Sequence, residues 1–291
     1  MKSTTTRWLL ECAVGAIALI FACGIATAWF GTGLQLPSIT TRDGSLITLN
    51  RYAREPVPDV VLVGSSLTHR LSEPYFSTAR LRNLALAGGS PLTGLEIVAG
   101  RSQLPRLILV EANVWSRPTD LTLVEKYRAA DSGGSLFFRP IRMAIAAYEN
   151  WRHAPLNSSQ AAAANDRIVN TPPTEFDNRV YVERVIAEAN EGDPVPATRD
   201  NAAQIKRLVA SIEDRGSIVR FFELPYPDEV QASRFVRMTR EIAHDAYPDP
   251  LRWLTIDVPR RELRWPDGSH LDERSAILVA RSLDKAISGL K

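Results

Sequence analysis

The chain has 291 residues, 45% hydrophobic and 23% charged, with a net charge of +2 from 35 basic and 33 acidic side chains. That is ordinary globular composition, in a chain long enough for one large domain with a substantial core. The balanced charge, with no Lys/Arg run interleaved with aromatics, gives no reason to expect nucleic acid as a partner.

The N-terminus departs from this average. Cys12 through Phe30 is an uncharged, mostly apolar run, close to the ~20 residues needed to cross a bilayer. Lys2 and Arg7 precede it, so the positive-inside rule keeps the short N-terminus in the cytoplasm and exports the rest. Residues 1–30 are therefore expected to form a membrane anchor in a bacterial inner membrane, with the body periplasmic or extracytoplasmic. Two alternatives stay open. Ala26-Thr27-Ala28 has the small-x-small pattern of a cleaved signal peptide, and Cys23 is a candidate for lipidation. Both cysteines, Cys12 and Cys23, lie in this segment. The body thus has no disulfide, no cysteine nucleophile and no zinc–cysteine site.

Residues 31–55 read as a polar linker, with a small strand in Ser45–Asn50. Beyond Pro56 and Pro58 the pattern alternates. Strands are expected at Val60–Val63, Leu81–Leu86, Leu107–Glu111, Ile218–Glu223 and Trp253–Val258. Helices are expected at Leu92–Arg101, Ala202–Arg215, Asp228–Ala246 and Glu273–Leu290. Such alternation predicts an α/β fold with a mainly parallel sheet covered on both faces. Between residues 114 and 200 the alternation lapses into a helical insertion, with an aromatic- and arginine-rich amphipathic helix at Phe137–Ala154. No repeat is visible.

The chemistry-bearing residues fall at strand ends. Val60-Val61-Leu62-Val63 runs into Gly64-Ser65-Ser66. A serine hydroxyl there is a nucleophile only when a base takes its proton; otherwise the junction is a helix N-cap. A phosphate cradle is the other use of such a turn, but neither GxxxxGK[ST] nor GxGxxG is present. Asp267 and His270 supply the activating pair, because an acid three residues before a histidine can bend back onto Nδ1 and leave Nε2 for Ser66. Asp267-Gly268 is equally an ordinary turn pair. His69, His153 and His244 have no acid and serine so arranged in sequence. The turn Ala87-Gly88-Gly89-Ser90 can bring a main-chain N–H to developing negative charge. Asn113, after Glu111-Ala112, carries an amide that either donates to the same oxygen or caps a loop.

These four blocks resemble the SGNH (GDSL-type) hydrolase superfamily: Gly64-Ser65-Ser66, Asn83 to Ser90, Glu111-Ala112-Asn113 and Asp267-Gly268-Ser269-His270. The resemblance implies a flavodoxin-like three-layer α/β/α sandwich over residues 56–291. It implies a Ser66–His270–Asp267 triad and an oxyanion hole from the Ser66 N–H, the Gly88 N–H and Asn113. Two positions depart: the usual Gly-Asp-Ser is Gly-Ser-Ser, and Glu111 and Val114 replace the outer residues of Gly-x-Asn-Asp. The first departure resembles the DltD-like, membrane-anchored branch that acylates cell-wall polymers. The expectation is an O-acyltransferase or esterase acting on an exported polysaccharide beside a membrane-bound O-acyltransferase or a polysaccharide synthase complex, with no metal or organic cofactor. A general secreted ester hydrolase and a non-catalytic polymer-binding scaffold are the competing functions.

Overall fold

The structure is a computed structural model that describes residues 2–30, 41–128 and 157–290, together with Ile145, Tyr148 and Arg152. The chain divides into two compact units, residues 1–54 with 133–155 and residues 55–132 with 156–291.

In the first unit, helix α1 spans Lys2–Phe30. Its stretch Thr5–Ile25 is long and apolar enough to cross a membrane, with mean hydropathy 2.2 and none of it buried. The helix starts well before the apolar run, and in this first part Arg7 and Glu11 pair one turn apart at 3.0 Å. The strand expected at Ser45–Asn50 is instead part of helix α2, Thr41–Arg54. The buried positions Ser45, Leu49 and Tyr52 follow helical spacing. The amphipathic helix expected at Phe137–Ala154 lies outside the described residues, apart from Ile145, Tyr148 and Arg152.

The second unit is α/β. Five strands, β1 Val60–Val63, β2 Leu81–Asn83, β3 Leu107–Glu111, β4 Ile218–Phe222 and β5 Trp253–Leu254, form one sheet in the order β2-β1-β3-β4-β5. Every pairing is parallel, with Val60 opposite both Leu81 and Leu107, Leu107 opposite Ile218, and Phe221 opposite Trp253. This is a doubly wound strand order whose direction reverses between β1 and β3, the place where such sheets bind ligands.

Helices follow the strands: α3 Ser66–His69, α4 Pro91–Ala99, α5 Leu121–Arg128, α6 Ser158–Asn170, α7 Arg179–Ala189, α8 Val195–Glu213, α9 Asp228–Gln231, α10 Arg234–Ala246 and α11 Glu273–Ser288. They explain why β1 is apolar at every position. Side chains alternate across a sheet. Val60 and Leu62 join a core with Val279, Ala280 and Leu283 of α11, while Val63 lies against Gly94 of α4 on the opposite face. A strand covered on both faces has no polar side.

β2 and β5 are shorter than expected and Asp228–Ala246 is broken. Ser233 ends the continuous helix by accepting from the Val236 N–H and starting α10. Residues 158–189, in the expected insertion, form α6 and α7 and no strand.

Candidate active site

A cleft of about 680 Å³ opens at the carboxyl ends of the strands. The sheet side contributes Ser66 and Leu67 after β1, Val114 and Arg117 after β3, and Tyr226 after β4. Asp267, Ser269 and His270 line it from the loop before α11, and Arg184, Val185 and Glu188 of α7 close the far wall. Strand exits, the loop before α11 and helix α7 meet here, with Ala197 of α8 and Phe235 of α10 completing the lining.

Ser66 is the first residue of α3, but the N-cap is its neighbour. Ser65 is fully buried, and its Oγ accepts from the Leu67 N–H at 3.2 Å. The capping task thus falls on Ser65, which leaves the Ser66 side chain, half-buried, on the cleft. The turn is tight because Gly64 lacks a side chain: a Cβ there would stand 2.6 Å from Glu111 Oε2 and nearer still to Thr68 Oγ1.

Asp267 and His270 fold onto each other. Oδ2 of Asp267 lies 2.9 Å from His270 Nδ1, while Oδ1 accepts from the N–H groups of His270 at 2.8 Å and Ser269 at 3.1 Å. Burial opposes ionisation of Asp267, but these hydrogen bonds, led by the one to the His270 ring, hold its carboxyl well below its ordinary value. The acid fixes the ring through Nδ1. His270 Nε2 is buried and has no hydrogen-bond partner among the described residues, a costly state for a ring nitrogen unless something else is to meet it. Ser66 and His270 share the cleft without a direct bond, as many acid–base pairs do before a substrate closes the geometry.

Gly268 turns the loop through a left-handed φ of +83°, and a Cβ there would stand 2.7 Å from the Tyr181 carbonyl carbon. The Asp267–His270 loop thus rests directly on the first turn of α7. Asn178 ties the same junction by donating to the Trp265 carbonyl at 2.8 Å.

The two remaining oxyanion candidates do not line the cleft. Gly88 has a φ of +75° and is exposed. Asn113 is engaged elsewhere: its Nδ2 donates to the Leu224 carbonyl at 2.8 Å and its Oδ1 accepts from the Leu224 N–H at 2.7 Å. The Asn113 amide, one of the expected oxyanion donors, is thus occupied by Leu224. It splints the ends of β3 and β4, which is the loop-capping alternative. Beside it, burial of Tyr226, reinforced by the nearby Glu111 charge, raises the hydroxyl well above the ordinary value.

His69 does not line the cleft either; its Nδ1 lies 3.3 Å from the Ala85 carbonyl. Burial, with the charges of Arg70 and His270, lowers it from its ordinary value, against the raising effect of that hydrogen bond. His244 does meet an acid, Glu223 at 3.3 Å, and stacks on Trp253 at 3.9 Å. That pair belongs to a separate depression beside β5. Among the described residues no cluster of His, Cys, Asp or Glu has the makings of a metal site.

Residue reasoning missed the α7 wall. Arg184 and Glu188 pair one turn apart at 3.4 Å on an ordinary amphipathic helix, and nothing in that local pattern announces a cleft. Glu111 was noticed only as a departure, although a charged residue ending the apolar run Leu107–Val110 was a legible signal. Compared with known proteins, the chain matches no family model and no curated relative.

Proposed function

We propose that this protein is a serine-dependent acyl-transfer enzyme of SGNH type, anchored in the bacterial inner membrane, whose extracytoplasmic domain acylates or deacylates an exported polysaccharide. One observation carries the catalytic part. Ser66 and His270 share a cleft, Asp267 holds Nδ1 at 2.9 Å, and Nε2 is buried without a partner among the described residues.

The chemistry follows from those atoms. Ser66 Oγ attacks the ester carbonyl carbon as its proton passes to His270 Nε2. Negative charge develops on the carbonyl oxygen, and the Ser66 N–H is the donor best suited to meet it. Collapse breaks the carbon–oxygen bond to the leaving alcohol, which takes the proton back from Nε2. An acceptor hydroxyl, from water or a glycan, then gives its proton to Nε2 and attacks the acyl–serine carbonyl. Ser66 departs and recovers that proton. Asp267 stays ionised throughout and stabilises the imidazolium.

The glycan reading is supported by the cleft's mixed wall. Arg117, Arg184 and Glu188 offer hydrogen bonds of both senses beside the apolar Leu67 and Val185, a combination that suits an acyl group joined to a sugar. The anchored location is supported by the helix Lys2–Phe30 with Lys2 and Arg7 at its start. A membrane O-acyltransferase or polysaccharide synthase complex is the partner this placement favours.

A fluorophosphonate probe tests the reading. It should label the full-length protein on Ser66 alone, Ser66→Ala should abolish both labelling and ester turnover, and deleting the gene should remove acyl groups from a surface polymer. A folded Ser66→Ala variant with full biological function would leave a scaffold. Fast hydrolysis of many simple esters with polymer acylation unchanged in the deletion strain would establish a general esterase. For location, a phosphatase fused to the C-terminus should be active; an inactive fusion that is nonetheless expressed would overturn the extracytoplasmic placement.

A further inference from the structure

We infer that Glu111 is the positioning residue of the nucleophile, its buried carboxylate fixing the Ser65–Thr68 turn so that Ser66 keeps its hydroxyl and its N–H for the cleft. The inference rests on the serine reading above and deepens it.

Glu111 ends β3 and is fully buried. Its side chain reaches sideways to the exit of β1, where it meets donors only. Oε2 accepts from the Ser65 N–H at 2.7 Å, the Thr68 hydroxyl at 2.6 Å and the Thr68 N–H at 3.3 Å. The Ser65 hydroxyl donates across both oxygens, at 2.8 Å to Oε1 and 3.0 Å to Oε2. Among the described residues no Lys or Arg forms an ion pair with it. Two hydroxyls and two main-chain N–H groups therefore carry the whole solvation of a buried acceptor, an arrangement that is costly when any member is missing.

The consequence falls on Ser66. Of the four main-chain N–H groups from Ser65 to Thr68, those of Ser65 and Thr68 go to Glu111 and that of Leu67 goes to Ser65 Oγ. Only the Ser66 N–H has no partner among the described residues. The carboxylate thus takes up the N–H groups that flank the one a substrate oxygen would need. If filling space were the sole requirement, an apolar side chain packed between β1 and β3 would serve without desolvating a charge.

The two departures from the SGNH pattern also touch one another, since Ser65 stands where an aspartate is usual and Glu111 where a glycine is usual. A carboxylate at position 65 would be an N-cap, able to accept from the same first-turn N–H groups. Here the carboxylate arrives from the neighbouring strand instead. The roles should then be exchangeable: Glu111→Ala removes the carboxylate, and Ser65→Asp in the same chain returns one to the turn.

The test uses the full-length protein in detergent and an acetyl ester of nitrophenol. Glu111→Ala should lower kcat and the rate of fluorophosphonate labelling about 100-fold, the scale of a small misplacement of a reacting group, with KM little changed. Ser65→Asp/Glu111→Ala should recover most of that loss. Glu111→Gln, which keeps the volume but sets an NH2 against donors, should also be slow and should speed amide exchange at Ser66–Thr68. A folded Glu111→Ala or Glu111→Gln variant with wild-type kcat and labelling overturns the inference. So does a double variant that regains thermal stability but not kcat, which would make Glu111 purely structural. If Glu111→Ala does not fold, Glu111→Gln and the double variant decide. A wild-type protein that never labels on Ser66 sinks the serine reading itself, and amide exchange in Glu111→Gln then judges Glu111 alone.

Discussion

The Ser66 turn and the Asp267–His270 loop of the candidate site are held mainly by different parts of the protein, with Arg70 and Asp267, 4.0 Å apart, as the ion pair between them. Gly64, Ser65, Thr68 and Glu111 are all buried, and the anchors of the Ser66 turn come from the sheet: Glu111 of β3, and Asn83 of β2, whose Nδ2 donates to the Thr68 carbonyl at 2.8 Å. The Asp267–His270 loop belongs to no strand or helix, and its side chains are 44% and 25% exposed. Its anchors are its own hydrogen-bonded turn, the α7 main chain against Gly268, and the Asn178 bond to Trp265. Ser66 takes its position from the sheet and His270 chiefly from the helical insertion. Changes in the insertion should therefore reach the chemistry through His270, while changes in the sheet should reach it through Ser66 and stability together.

The largest effect should come from the reacting groups themselves. Ser66→Ala should remove essentially all turnover, on the order of a 10⁶-fold loss, and His270→Ala should come close to it. Asp267→Asn keeps the shape of the loop but offers Nδ1 an amide, and should cost about 10⁴-fold in kcat. Steady-state kinetics with an activated ester measures all three.

Two glycines sharpen the contrast. A Cβ at Gly64 collides with Thr68 and Glu111 in the interior, so Gly64→Ala should destabilise the fold by about 1–3 kcal/mol and slow turnover with it. A Cβ at Gly268 collides with the main chain of α7, and the residue also needs its left-handed φ. Gly268→Ala should leave the melting temperature closer to wild type and lower kcat about 10- to 100-fold by moving His270. Thermal melts read beside kcat decide the matter. Equal losses of stability in both variants would erase the distinction between the two regions.

How legible each region was in sequence follows the same division. The Val60–Val63 run and the similar Leu107–Val110 run announced buried parallel strands, and their alternation with amphipathic helices announced the doubly wound sheet. Strand lengths were not legible: Leu84 to Leu86 are as apolar as a strand, yet β2 ends at Asn83. The N–H groups of Leu84 and Leu86 still donate to the carbonyls of Leu62 in β1 and of Gly64 just beyond it, but as a departing loop. In the site, Ser66, Asp267 and His270 could be picked out because their chemistry requires a particular spacing or strand-end position. Asn113 was left between two uses because an amide reads the same in sequence whether it faces a substrate or, as here, Leu224. The contacts of Gly268 with α7 join residues far apart in the chain, and no local pattern records such a meeting.

The smallest effect concerns pH, and its sign is fixed by Asp267. Burial pushes this carboxyl up, but the His270 ring and the N–H groups of His270 and Ser269 outweigh it and hold the folded value well below 3.8. A group depressed on folding contributes stability above its unfolded value and loses that contribution as pH falls through its folded value. The side chain is 44% exposed, so solvent and salt screen the interaction, and its worth should stay below about 1 kcal/mol. The difference in melting temperature between the wild type and Asp267→Asn should therefore be flat from about pH 8 to pH 5 and shrink only below about pH 4. Ser66→Ala, whose turn is built without Asp267, should follow the wild-type curve throughout. If the difference disappeared between pH 5 and 7 instead, Asp267 would not be the depressed carboxylate its hydrogen bonds describe, and the base loop would need another anchor.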